Sequence, residues 1–362
     1  MRRATSRRIS ALAAVALLVP LAAACGSDDK GAKDSGTAAE EKATGPLVIY
    51  SGRNEELIAP LLEKLEKATG TKVEVRYGDS AELAAQLLEE GDKTKADIFF
   101  SQDAGALGAL AKAGRLDALP QGTLDQVDKE YRAEDGSWVG VSGRARVIAY
   151  NSDKVAKAPE SVKDLTKPEW KGKVGYAPTN ASFQAFVTGM RVLEGDDATR
   201  TWLKDFKANE PQVYEKNGAV LTAVNDGKAE LGLINHYYWY EKAAEEGADK
   251  LKAALSFPKK GDPGALVNVA GAGVLKGNDQ KAAAQKAVDF LLAEEAQTYF
   301  ADETHEYPLA AGVTSKDELP KLDTLGVPEI DLSKLESLEV TLEMLREAGM
   351  VSVTSAVLTT KA

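Results

Sequence analysis

The chain holds one cysteine, Cys25, in 362 residues, so no intramolecular disulfide framework exists. Histidine is nearly as scarce: His236 and His305 are the only two, and they lie far apart in sequence. No zinc-type ligand spacing, phosphate-cradling glycine loop, nucleophile elbow or Cys–His catalytic pairing is present, which leaves an extracellular enzyme the least supported class of function. Glycine and proline, at 31 and 13, are too few for a low-complexity chain, and no internal repeat is visible. Positive charge is also in deficit, with 45 basic against 56 acidic residues and a formal charge of −11. Such a balance argues against nucleic-acid binding. It suits a protein that takes up a cation, or one that uses charge only for solubility.

What is present begins with an export signature. Arg2, Arg3, Arg7 and Arg8 precede an apolar run, Ile9–Ala24, that is too short and wrongly flanked to span a membrane. The run ends in small residues at Leu21-Ala22-Ala23-Ala24-Cys25-Gly26, a pattern resembling a bacterial lipobox with Cys25 as the acylated mature N-terminus. Leu21 lies one place further from the cysteine than is usual. Ser6-Arg7-Arg8 is compatible with twin-arginine export, and general secretion fits equally. Residues 1–24 are therefore expected to be a signal peptide, whose four arginines leave with it and take the formal charge to −15. Residues 25–45 contain no large apolar side chain after the cysteine, and read as a flexible, lipid-anchored tether at the outer face of the cytoplasmic membrane.

From Leu47 onward strand-like and helix-like patterns alternate. Leu47–Tyr50, Lys72–Tyr77 and Ala96–Phe100 read as strands, and segments following 55, 80–90 and 103–113 read as helices. The long extended stretch 138–150 and a second at 264–275 read as crossings between two lobes. Between them runs a second α/β set with strands at 173–177, 212–215 and 230–234 and helices at 181–193, 197–208, 218–226 and from His236. Helices at 279–292, 294–302 and 334–347 follow. The expected division is 46–144 with 268–318 in one lobe, and 145–267 with 319–362 in the other. A length of 362 residues fits two domains. Such a hinged α/β clamp binds ligand at the carboxyl ends of its strands, in the cleft. The loops 51–55, 101–104, 178–182, 216–218 and 235–240 are therefore the candidate site.

The densest chemistry lies in Asn235-His236-Tyr237-Tyr238-Trp239-Tyr240. Aromatic packing at a lobe surface explains such a cluster. So does phenolate ligation of a hard, highly charged cation, which lowers the apparent pKa of a phenol from its ordinary value near 10. Adjacent residues of a regular helix diverge by about 100°. Tyr237 and Tyr238 reach one ion together only at a strand-to-helix junction. His236 is either structural or placed just behind the pair, and Trp239 reads as packing.

The stretches VIYSGRNEE, ADIFFSQD, SGRARVIAYN, WKGKVGYAPTN, VYEKNGAVLTAV, LGLINHYYW and GDPGALVNVAGAGVLK, in this order, make residues 46–350 resemble the ferric-binding proteins of bacterial iron importers. The resemblance implies an α/β, two-lobe periplasmic-binding-protein fold of class II, transferrin-like type, with two extended hinge crossings. It implies Fe³⁺ held by Tyr237 and Tyr238, a synergistic anion (phosphate, carbonate or citrate), and a monomer that delivers its cargo to an ABC permease and its ATPase. Asn54 and Gln102 stand where many members carry histidine and glutamate. As neutral amides they are weaker iron ligands, with Glu55, Glu56 or Asp103 as substitutes. The anion site carries over to Thr179, Asn180, Ala181 and Ser182 at a helix start, with Asn217, Asn235 and Arg144. Helix capping alone also explains Asn180 and Ser182. A small organic ligand such as thiamine, a polyamine or a phosphonate is the alternative cargo on the same fold.

Overall fold

The computed structural model describes residues 45–310, 312–316 and 318–351. The expected signal peptide, Cys25 and residues 26–44 of the tether lie outside the described residues. No helix among those described is long and apolar enough to cross a membrane.

The strands are β1 Leu47–Ser51, β2 Val73–Tyr77, β3 Ile98–Ser101, β4 Val139–Asn151, β5 Val174–Tyr176, β6 Gln212–Val213, β7 Leu231–Asn235, β8 Ala253–Ser256, β9 Val267–Val274 and β10 Tyr307–Pro308. The helices are α1 Glu55–Thr69, α2 Ser80–Glu90, α3 Ala104–Lys112, α4 Gln121–Leu124, α5 Ala181–Glu194, α6 Asp196–Ala208, α7 Asn217–Asn225, α8 Tyr237–Glu246, α9 Lys281–Leu292, α10 Glu294–Asp302 and α11 Leu338–Glu347. The expected helix at 80–90 forms over the same residues. The one expected at 334–347 divides at Ser337 into a 3-10 turn, Leu332–Glu336, and α11. The short elements α4, β8 and β10 were not legible in the sequence pattern.

The sheet runs β2-β1-β3-β9-β4-β7-β5-β6, and β8 and β10 also pair with β4. The outer pairs, β1–β2, β1–β3, β5–β6 and β5–β7, are parallel, as right-handed strand–helix–strand units demand. The centre is antiparallel. Val139–Ala145 of β4 pairs with β9, and Arg146–Tyr150 pairs with β7. One strand thus belongs to both halves, as the long extended run at 138–150 implied. The β4–β9 register shifts between Gly140 and Ser142, leaving Val141 as an extra residue. The two strands approach closely there: a Cβ on Gly271 would stand 2.7 Å from the Val139 carbonyl oxygen.

The apolar side chains divide along the same line. One cluster gathers Leu47, Phe99, Leu107, Trp138, Val269 and Phe300. In the other half Ile148, Tyr176, Phe183, Trp202 and Leu345 fill one face of the sheet, and Val147, Ala149, Val220 and Ile234 fill the opposite face. Neighbours on β4 therefore enter different clusters, as strand alternation requires. After residue 318 the chain serves both halves. Leu325, Leu332 and Leu335 join the first cluster, where the Leu335 carbonyl lies so close to α3 that a Cβ on Gly105 would come within 2.7 Å of it. Met344 and Leu345 join the second cluster, and Thr341 shares a 2.8 Å hydroxyl contact with Thr188 of α5.

Candidate functional site

Three element ends and the middle of one strand, drawn from both halves, enclose a cavity of about 150 Å³. They are the start of α3 (Gln102, Asp103), the middle of β4 (Arg144, Arg146), the start of α5 (Asn180, Ala181, Ser182) and the β7–α8 junction (Asn235, Tyr237, Tyr238). Asn268 and Leu266, at the start of β9, together with Ala185 and Phe186 of α5, complete the wall.

The tyrosine pair sits where the sequence placed it. β7 ends at Asn235, His236 already has helical torsions, and α8 begins at Tyr237. At this junction the two rings stack with centroids 4.3 Å apart and planes 28° from parallel, and both line the cavity. Burial, reinforced by the neighbouring Tyr238 phenol, pushes Tyr237 well above the ordinary phenol range, while Arg144 pulls the other way. The Tyr237 phenol of the empty site is therefore protonated at neutral pH. His236 is fully buried and does not line the cavity. The Ala145 amide donates to its Nδ1 at 3.2 Å, and an N–H donor requires an unprotonated acceptor. The ring is thus the neutral Nε2–H tautomer, with burial pushing its pKa down to about 4. It packs 4.7 Å from the Tyr307 ring and supports the junction from behind.

Around the start of α5 the polar side chains form one cluster. Asn180 Oδ1 accepts from the Ser182 amide at 3.0 Å and from Ser182 Oγ at 2.7 Å, capping the helix. Asn217 Nδ2 donates to Ser182 Oγ at 2.9 Å and to Asn180 Oδ1 at 3.3 Å. Its own Oδ1 is buried without a partner. Arg146 Nη1 donates to Ser182 Oγ at 3.0 Å and Asn235 Oδ1 at 3.4 Å, and Nη2 to the Leu233 carbonyl at 3.1 Å. Of the residues expected at the anion site, Asn180, Ala181, Ser182, Asn235 and Arg144 line the cavity, and Asn217 stands directly behind Ser182. Thr179 is exposed and is not part of the wall.

The first half contributes differently. Asn54 is exposed and caps α1, accepting from the Leu57 amide at 3.2 Å; it does not line the cavity. Gln102 lines it, and its backbone carbonyl accepts from Arg144 Nη2. Asp103 caps α3 through Oδ1, 3.1 Å from the Ala106 amide, and burial raises its carboxyl pKa. Asn268 Oδ1 accepts from the Ala104 amide at 3.2 Å, tying β9 to the same helix start.

Behind Arg144 lies a buried ion network. Glu306 takes a two-pronged contact from Arg53 at 3.1 and 2.9 Å, a hydrogen bond from Ser142 Oγ at 2.7 Å, and the Arg144 Nε at 3.8 Å. Burial would raise the Glu306 pKa, but the flanking Arg53 and Arg144 charges hold it below the ordinary carboxylate range. His305, with φ of +52°, turns the chain immediately before it. Arg146, Glu306 and Asn268 are the site residues that sequence reasoning missed. The period-two spacing of Ser142, Arg144 and Arg146 within an otherwise apolar strand was the available signal for the first. Among the described residues no three His, Cys, Asp or Glu side chains converge to hold a metal, so the phenols are the strongest ligand candidates.

Residues 93–332 match the family model described as bacterial extracellular solute-binding protein. A Serratia marcescens Fe(3+)-binding periplasmic protein is 34% identical over 347 residues, covering 95% of this chain and 99% of that protein. The crystal structure of iron-bound HitA from Pseudomonas aeruginosa superposes with a TM-score of 0.77 at 33% identity, over 84% of this chain and 99% of that one. A Trichodesmium protein (IdiA, FutA) in complex with iron and citrate gives a TM-score of 0.73 at 28% identity, over 85% and 100% of the two chains.

Proposed function

From the premise that this chain belongs to the bacterial extracellular solute-binding proteins, two-lobed transport components and not enzymes, we propose that it captures ferric iron in the cavity between its lobes. The observation that carries the reading is the stacked Tyr237–Tyr238 pair, two adjacent phenols lining the same cavity wall. Fe³⁺ is hard and prefers anionic oxygen, and its charge is sufficient to displace phenolic protons.

The lobes divide on β4 near Ala145 and again where β9 begins, and iron is held from the second-lobe side. Iron brings three positive charges and the two phenolates offset two. The Arg144 and Arg146 guanidiniums add more, so a synergistic anion (phosphate, carbonate or citrate) is required. Asn180, Ala181, Ser182, Asn217, Asn235 and Arg144 form its seat at the positive end of α5. Gln102 and Asp103 face the seat from the first lobe, while Asn54 acts as a helix cap. The filled clamp then docks on an ABC permease whose ATPase partner drives import. Cys25 carries the lipid that keeps the monomer at the outer face of the cytoplasmic membrane.

An organic cargo fits less well. The cavity of about 150 Å³ is below the roughly 300 Å³ at which small-molecule pockets usually begin, and it is wide enough for an ion with a compact anion. The deciding experiment is a visible absorption titration with ferric citrate. A phenolate-to-iron charge-transfer band, stoichiometric with protein and lost in both Tyr237→Phe and Tyr238→Phe, is the expected result. No band with any of the three anions would retire the iron reading in favour of an organic ligand.

A further inference from the structure

Three arginines with buried side chains surround the site, and they are not equivalent. Arg53 and Arg144 share the Glu306 carboxylate. Arg146, 3% exposed, has no carboxylate within ion-pair distance among the described residues. Its Nη atoms reach only neutral oxygens, on Ser182, Asn235 and Leu233, and its Nε is buried without a partner. The faces of Phe183 and Phe186, 5.8 and 5.7 Å away, screen it from water. A guanidinium does not shed its charge at neutral pH, and an uncompensated charge in such surroundings is costly. A fold that keeps one beside a cavity leaves its counter-charge to the ligand.

The phenolates do not fill that role once iron is bound, because the metal's three charges already exceed theirs. On the reading of this site as a ferric-ion and anion seat, we infer that Arg146 sets the charge of the captured anion: it makes the seat prefer a doubly charged oxyanion over a singly charged one. Arg146 acts through the two groups it holds. Its Nη1 occupies a lone pair of Ser182 Oγ and leans on Asn235 Oδ1. Both side chains line the cavity; the Ser182 hydroxyl donates to Asn180 Oδ1, so the donor that the guanidinium turns toward the anion is the Asn235 Nδ2 amide, and its own field adds to it. It is a positioning and charge-selecting residue and not an iron ligand.

The test compares phosphate with bicarbonate at pH 8, where phosphate is a dianion and bicarbonate a monoanion. Anion affinity is read from the thermal shift of the iron-free full chain, and iron affinity from competition with a chelator in each anion. The wild-type chain is expected to favour phosphate by about tenfold or more, the scale of one charged hydrogen bond. Arg146→Gln should bring the two anions within about threefold of each other, and Arg146→Lys should retain most of the preference. A structural role alone would weaken both anions together and leave their ratio unchanged, and that result overturns the inference. A wild-type ratio near one also overturns it, whether or not the glutamine variant folds. The iron reading fails separately: a chain that prefers phosphate in the thermal shift but gives no ferric band keeps the charge selectivity and loses the cargo.

Discussion

Two buried polar networks flank the middle of β4, and their difference is instructive. The network around Glu306 is closed: one carboxylate faces two guanidiniums, and Ser142 Oγ donates to it as well. The cluster at the start of α5 is open: Arg146, Ser182, Asn180, Asn217 and Asn235 share hydrogen bonds, yet they contain a cation and no anion. Both are buried, and both draw on the same face of one strand. Polarity and burial therefore do not by themselves separate scaffold from seat. What separates them is whether a carboxylate stands within reach of the cation: Arg53 and Arg144 share Glu306, and Arg146 has none among the described residues.

The comparison breaks most visibly at Glu306. Its replacement by alanine leaves Arg53 and Arg144 uncompensated, and a loss of about 3–5 kcal/mol in urea unfolding of the iron-free chain is expected. A loss below about 1 kcal/mol would mean that the closed network is not what stabilises the first half. A smaller effect comes from protons at the open side. Tyr237 holds its proton well above the ordinary phenol range, so under the proposed ligation iron displaces it, and binding strengthens as pH rises. Lowering the pH by one unit should weaken iron binding at least about tenfold, read as the midpoint of chelator-free iron release between pH 8 and 6. Iron retention that is flat across that window would remove the phenol from the ligand set. The smallest expected effect is at Asn54. As a cap on α1, its replacement by alanine should cost about 1 kcal/mol of stability and leave iron affinity unchanged within about twofold. A large fall in affinity would place Asn54 at the ligand after all.

Much of this architecture was legible because it is periodic. The β–α alternation, α2 to the residue, the long strand shared by both halves and the tyrosines at a strand-to-helix junction all follow from apolar spacing and turn chemistry. The expected boundary at 334–347 slipped because the 3-10 turn and α11 lie in one amphipathic register, and only Ser337 separates them. Elements of two to four residues, such as β10 and α4, are too short to display a period. Glu306 was missed for a different reason. A glutamate in His305-Glu306-Tyr307 reads as surface charge until the chain brings it against Arg53, 253 positions away. Arg146 sat in plain view, but its lack of a partner is a property of the folded neighbourhood and not of its own segment.

The extra residue at Val141 has a consequence for chemistry. A strand is a two-beat pattern, and inserting one residue resets the beat. Downstream of the irregularity, Ser142, Arg144 and Arg146 fall on one beat, and Gly143, Ala145 and Val147 on the other. Excising Val141 would force one flank to slip by a single step. If the downstream flank moved, the guanidiniums would exchange places with Ala145 and Val147. A small irregularity in one half thus decides, several residues later, whether the cleft is lined with charge or with methyl groups.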